Sequence, residues 1–193
     1  VYEKDTSAVA IVLADYGWFS ATEFTFTRIF RVKILKKAGY DYANFKDETM
    51  SKPTVRGITY SLDGEKVVKE KLPTSSVFIK KTASDTYETS IAMPNIKVGS
   101  VFDIELTYDW LPYEWYFQRD IPVVYSELYI QESPLIDFSK NFFGYVQLAS
   151  TNNNQWIARN VPAFKSEPKI NSVENYITKF EIELKTITIP GNF

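Results

Sequence analysis

Phe102-Asp103-Ile104-Glu105-Leu106-Thr107-Tyr108-Asp109-Trp110 alternates apolar and polar residues without interruption. A period of two is the mark of a strand, because successive side chains leave opposite faces of a pleated backbone. Phe102, Ile104, Leu106, Tyr108 and Trp110 then share a buried face, and Asp103, Glu105, Thr107 and Asp109 a wet one. Burying each large side chain is worth ~1.5–3 kcal/mol, and a one-residue slip would expose them all, so the register of this strand is strongly specified.

The same period recurs upstream. Phe24, Phe26, Phe30, Val32 and Ile34 share one parity, and Thr25, Thr27, Arg31 and Lys33 the other. Arg28 is the one polar residue on the apolar side. A buried arginine needs a carboxylate or several carbonyls around it; the expectation is that its aliphatic stem runs to the sheet edge instead. Ala8 to Ala14 is the longest apolar run and suits a buried strand, with Asp15-Tyr16-Gly17-Trp18 read as the turn after it. Val55–Leu62 and Glu65–Leu72 flank Asp63-Gly64, a strong hairpin signal. Further strands are expected over Val77–Lys81, Tyr87–Met93, Val123–Ile130 and Phe180–Leu184, the last continuing as Ile187 and Ile189. Gly39–Pro53 and Asn141–Asn154 read as turn-rich, and a short helix or turn is expected around Ser172 to Thr178. Many short strands, and no 12-residue amphipathic helix between them, predict an all-β sandwich or barrel.

Composition bounds the function. The chain has 193 residues, 22 basic and 24 acidic, with a net charge of -2. That balance makes no electrostatic case for nucleic acid. No apolar run approaches the ~20 residues of a spanning helix. Cysteine and histidine are both absent. Ser-His-Asp and Cys-His arrangements therefore cannot be assembled, and the usual zinc ligand sets are excluded. No GxGxxG or P-loop is present, so common nucleotide chemistry has no motif, and no cofactor, metal site or catalytic residue is expected. Asp103, Glu105 and Asp109 lie on one strand face ~6.6 Å or more apart. That spacing permits a glycosidase pair, but alternating acids on a wet face are ordinary solvation. Trp110, Tyr113, Trp115 and Tyr116 form the one dense aromatic stretch. Such rings either pack over the end of a sheet or offer a ligand or docking surface, and sequence leaves both open. Arg119, near Asp120 and Glu114, is read as a local surface ion pair.

Several strings occur in a specific order: DTSAVAIVL (Asp5–Leu13), RVKILKKAG (Arg31–Gly39), TYSLDGEKV (Thr59–Val67), MPNIKVGSVFDIELTY (Met93–Tyr108), WYFQRDIPVVYSE (Trp115–Glu127) and NVPAFKSEP (Asn160–Pro168). Together they resemble the domain of unknown function 3857 family, the N-terminal module of exported transglutaminase-like proteins of Bacteroides-type bacteria. The resemblance spans nearly the whole chain. It implies an immunoglobulin-like β-sandwich of antiparallel strands, residues 1–193 forming one module of a larger protein. It also implies a periplasmic or cell-envelope location, and a Cys/His-bearing domain downstream as partner. The chain opens on Val1 without a leader, which fits a mature or trimmed fragment. The expected role is a non-catalytic accessory module that supports or docks that domain. The alternative is a carbohydrate- or peptide-binding module, with Trp110, Tyr113, Trp115 and Tyr116 as the candidate surface.

Overall fold

The computed structural model describes residues 2–131, 133–165 and 176–188. Its strands are β1 (Ala10–Ser20), β2 (Thr25–Ile34), β3 (Asn44–Thr49), β4 (Thr54–Asp63), β5 (Lys66–Lys71), β6 (Val77–Lys81), β7 (Tyr87–Ala92), β8 (Val101–Asp109), β9 (Glu114–Tyr116), β10 (Val123–Ile130), β11 (Ile136–Phe143), β12 (Ala149–Asn152), β13 (Gln155–Val161) and β14 (Lys179–Ile187). Short 3-10 turns lie at Lys37–Ala43 and Thr74–Ser76. The expected strand at Ile189 and most of the turn expected at Ser172–Thr178 lie outside the described residues.

The strand that anchors the sequence reading forms as its alternation requires. Phe102, Ile104, Leu106 and Tyr108 of β8 are buried, and β8 is central, between β2 and β4. Beyond its end Trp110 leaves the pattern, with a φ of 76°. The hairpin expected at Asp63-Gly64 forms, with its two-residue loop one position later, at Gly64-Glu65. Asp63 pairs with Lys66, and Gly64 takes φ 60° at the first position of the two-residue loop, where a non-glycine residue would be strained.

The fold is all-β, but its strands fall into three sheets where the expected sandwich has two. An eight-stranded sheet runs β12-β13-β10-β1-β2-β8-β4-β5, and two three-stranded sheets run β11-β14-β9 and β3-β7-β6. One pair, β1 with β10, is parallel, so the expectation of antiparallel strands throughout is corrected there. The two small sheets pack on one face of the large sheet. Trp115 of β9 meets Phe26, Phe138 of β11 meets Phe19, and Phe45 of β3 meets Phe30.

Asp15 to Trp18 is not a turn, because β1 runs through it to Ser20. What local reading missed is a register shift between Val12 and Ala14. Before the shift Ala10 and Val12 face the core; after it Asp15, Gly17 and Phe19 do. An extra residue in one strand reverses which side chains point inward from there on. The shift thus carries an aspartate onto the apolar face and turns Tyr16 and Trp18 outward.

Candidate functional site

Asp15 is wholly buried and lies beside Arg28, the polar intruder on β2. Arg28 donates from Nε to Asp15 Oδ1 at 2.8 Å and from its second terminal nitrogen to Oδ2 at 2.9 Å. Its remaining terminal nitrogen reaches Asp47 Oδ2 of β3 at 3.2 Å. Arg119 donates to Asp15 Oδ2 at 2.8 Å. The expectation that Arg28 escapes to the sheet edge is therefore corrected: a carboxylate lies inside, and burial is satisfied by pairing. The local pair expected of Arg119 is corrected too. Asp120 accepts from the Tyr42 hydroxyl at 2.8 Å, while Glu114 pairs with Lys179.

This network sits where the three sheets meet. The large sheet supplies Asp15 and Arg28, β3 supplies Asp47, and the chain after β9 supplies Arg119. The Arg28 guanidinium lies 5.1 Å from the Phe30 ring, 5.6 Å from Phe45 and 5.2 Å from Trp115, and Arg119 lies 5.0 Å over Phe30. Cations held over ring faces gain further attraction away from water. Burial pushes the Asp15 carboxyl up, but the charges of Arg28 and Arg119 and their hydrogen bonds outweigh it and hold it below its ordinary value. Burial likewise raises the Tyr108 hydroxyl, reinforced by Asp47.

Above the network opens a cleft of about 440 Å³, within the size range of small-ligand sites. Phe26, Arg28 and Tyr108 line it from the large sheet, Lys46 to Met50 from β3 and the residue after it, and Pro112 to Tyr116 from β9 and the two residues before it. Of the four expected rings, Tyr113, Trp115 and Tyr116 are therefore brought together, and Trp110 is not. Tyr113 is 62% exposed, Tyr116 is half-buried, and Trp115 is only 2% exposed, its Nε1 donating to Ser126 Oγ at 3.3 Å. Trp110 packs at the end of the large sheet, stacked on Phe24 and edge-on to Phe19 and Phe138. Beside the cleft, Lys179 of β14 is buried and bonds Glu114 and Glu181. Burial opposes its charge, but these hydrogen bonds hold its pKa above the ordinary lysine value.

Two of the three acids of β8, Asp103 and Glu105, are counter-charged. Arg31 and Asp103 are directly opposed across strands and joined by two 2.6 Å hydrogen bonds; Arg56 opposes Glu105 at 3.2 Å. Such cross-strand pairs stabilise the sheet. Among the described residues no three His, Cys, Asp or Glu side chains gather where they could hold a metal ion, and no helix is long and apolar enough to cross a membrane.

A second surface escaped the sequence reading. On the far side of the large sheet Tyr16 lies opposite Glu127, and Trp18 opposite Tyr129, across the parallel β1–β10 pair. Tyr125 shares that face, and its hydroxyl bonds the Glu127 carboxylate, which also accepts from Gln155 at 2.6 Å. Trp18 and the neighbouring Ile29 of β2 are 41% and 38% exposed. Parallel strands are usually covered on both faces; here the outer face is aromatic and in part open. The alternation Tyr125-Glu127-Tyr129 was a visible signal, but only its pairing with β1 assembles the patch.

No family model matches the chain, and no curated protein matches it. Among solved structures, a candidate protease from Parabacteroides distasonis ATCC 8503 superposes with a TM-score of 0.65 at 12% identity, covering 90% of this chain and 40% of that one. At that identity the likeness is one of fold. Native yeast LTA4 hydrolase aligns with a TM-score of 0.40 at 13% identity, covering 92% of this chain and 29% of that one, too loosely to carry an argument. The chain thus spans two fifths of the length of the Parabacteroides protein.

Proposed function

We propose that this chain is a non-catalytic accessory module whose outer aromatic face seats a further domain of the same polypeptide. The observation that carries this reading is the Tyr16, Trp18, Tyr125 and Tyr129 patch over the parallel β1–β10 pair. Tyrosine and tryptophan are the residues most enriched at interfaces, since each combines large apolar area with a polar tip. Two further facts support it. The 193 residues contain no cysteine, so no catalytic Cys lies within them. The same fold occurs as two fifths of a longer Bacteroidetes protein described as a candidate protease. The ordered strings that resemble the domain of unknown function 3857 family are in keeping with this reading. With that family go a transglutaminase-like or protease-like partner domain and an exported, periplasmic or envelope location.

The test is hydroxyl-radical footprinting of the isolated chain and of the full-length polypeptide. Docking predicts that Trp18 and Tyr129 are labelled less in the longer protein. Equal labelling of both rings in the two forms would refute it.

A second reading has its own observation. Tyr113, Trp115 and Tyr116 converge on one cleft, which suits a carbohydrate or peptide ligand. Loss of a ligand on Tyr113→Ala with footprinting of the outer face unchanged would separate it from docking.

A further inference from the structure

The large sheet ends in an open, lysine-bearing strand, and the geometry points to the capture of an acidic extended peptide along it. β5 lies at that end, with β4 as its single strand partner among the described residues. In an antiparallel ladder alternate residues turn their backbone groups to opposite sides. Just past β5, Leu72 N–H donates to the Gly57 carbonyl of β4 at 2.9 Å. The β4–β5 register runs from Ile58 and Lys71 to Asp63 and Lys66 without a shift. Even-numbered residues of β5 therefore face β4, and Val67, Lys69 and Lys71 turn their N–H and C=O groups outward. An added strand would take up those groups by main-chain hydrogen bonds.

The side chains along this edge fix the chemistry of the partner. Lys66, Lys69 and Lys71 are exposed, and none is in an ion pair among the described residues. The one acid of β5, Glu70, accepts from the Asn95 amide. Leu62 and Val67, directly opposed across the hairpin, are 69% and 54% exposed. Residues directly opposite on neighbouring strands share a face and interact. A strand added to β5 thus sets one side chain against Val67, and the alternate ones after it against Lys69 and Lys71. That spacing selects an apolar residue and then two acids at alternate positions. Lysines on an edge commonly keep other strands away. Here the same charges discriminate. Two copies of β5 in their centred antiparallel register would set Lys69 against its own counterpart, which is repulsive, whereas an acidic strand turns the contact attractive. Three strands, β2, β8 and β4, separate β5 from β1, so this site does not rest on the docking face, and either proposal can fail without the other.

The experiment pans a displayed library of random heptapeptides against the whole chain. Selected peptides are expected to carry Asp or Glu at two alternate positions, and to slow hydrogen exchange at the Val67, Lys69 and Lys71 amides. They are then resynthesised with N-methyl groups at alternate residues, in both registers. Pairing on one side predicts that methylation weakens binding about fivefold or more in the register facing β5, the worth of one hydrogen bond, and little in the other. Lys69→Glu combined with Lys71→Glu changes exposed side chains only, and is expected to turn the selection from acidic to basic peptides with the circular dichroism unchanged. Should that double variant not fold, hydrogen exchange and the methylated peptides decide alone. Failure to select any peptide overturns the proposal. So do selected peptides without acids, equal sensitivity in the two registers, or protection at Trp18 and Tyr129 in place of β5.

Discussion

Replacing Asp15 by leucine tests the central claim about how the three sheets are held together. The carboxylate is wholly buried and receives three hydrogen bonds from two guanidiniums, at 2.8, 2.9 and 2.8 Å. Charge-assisted hydrogen bonds at ~1.5–3 kcal/mol each set an upper bound, and the desolvation of a buried ion subtracts from it. Removing one partner of a buried pair costs ~3–5 kcal/mol, because the other charge is left unpaired. Here that charge is Arg28, which is itself buried. For a chain of this size the loss corresponds to a fall in Tm on the order of 10 °C. Urea unfolding of wild type, Asp15→Leu, Arg28→Met and the double variant forms the assay. The double variant is expected to be more stable than Asp15→Leu alone, since it removes the stranded charge. Asp103→Asn is the control: its partner Arg31 is half-exposed, and that pair is worth ~0–1 kcal/mol. The pH dependence has a definite sign. The folded pKa of Asp15 is below its ordinary 3.8, so the stability it contributes is fully present above that value. It is lost as the pH falls below 3.8 through the folded value, and Asp15→Leu should flatten that part of the acid limb. If Asp15→Leu shifts the urea midpoint no more than Asp103→Asn does, the network does not hold the sheets together.

Two further outcomes are expected. A Cβ at Gly17 would lie 2.6 Å from the Phe26 ring and 2.7 Å from Trp115, so Gly17→Ala should cost ~1–3 kcal/mol by overpacking; thermal melts showing no loss would mean that Trp115 does not seat there. The Tyr125 hydroxyl is pushed up to about 12, by burial first and then by its hydrogen bond to Glu127. Stability from that shift is present below pH 10 and lost as the pH rises from 10 through 12. Ultraviolet titration of Tyr125→Phe should lack a late-titrating phenol, and loss of one titrating near 10 instead would remove the Glu127 contact from the account.

How much was legible beforehand follows from the range of each interaction. Strand β8, the β4–β5 hairpin and strand β10 were readable because alternation and turn chemistry are local. The absence of catalytic Cys and His chemistry needed composition alone. Three of the four rings nominated from the aromatic stretch do share a cleft, since Tyr113, Trp115 and Tyr116, on β9 or just before it, are neighbours in sequence and stay neighbours in space. Trp110 does not, because the positive φ at that residue carries it off the strand pattern and over Phe24.

The rest depended on which distant segments lie side by side. A bulge at Leu13 decides that Asp15 faces the core and Tyr16 the outside, and a bulge appears only against a partner strand. Arg28 is called out by its own periodicity, yet its counter-ions come from β1 and β3, and Arg119 joins them from 104 residues beyond Asp15. Charges find partners by proximity, which the three-sheet packing sets. The outer aromatic face likewise exists only because β1 and β10, remote in the chain, pair in parallel. Periodicity thus determined what is a strand and which side of it is apolar. Tertiary structure decided which strands meet, and so where the buried ions, the cleft and the open face lie.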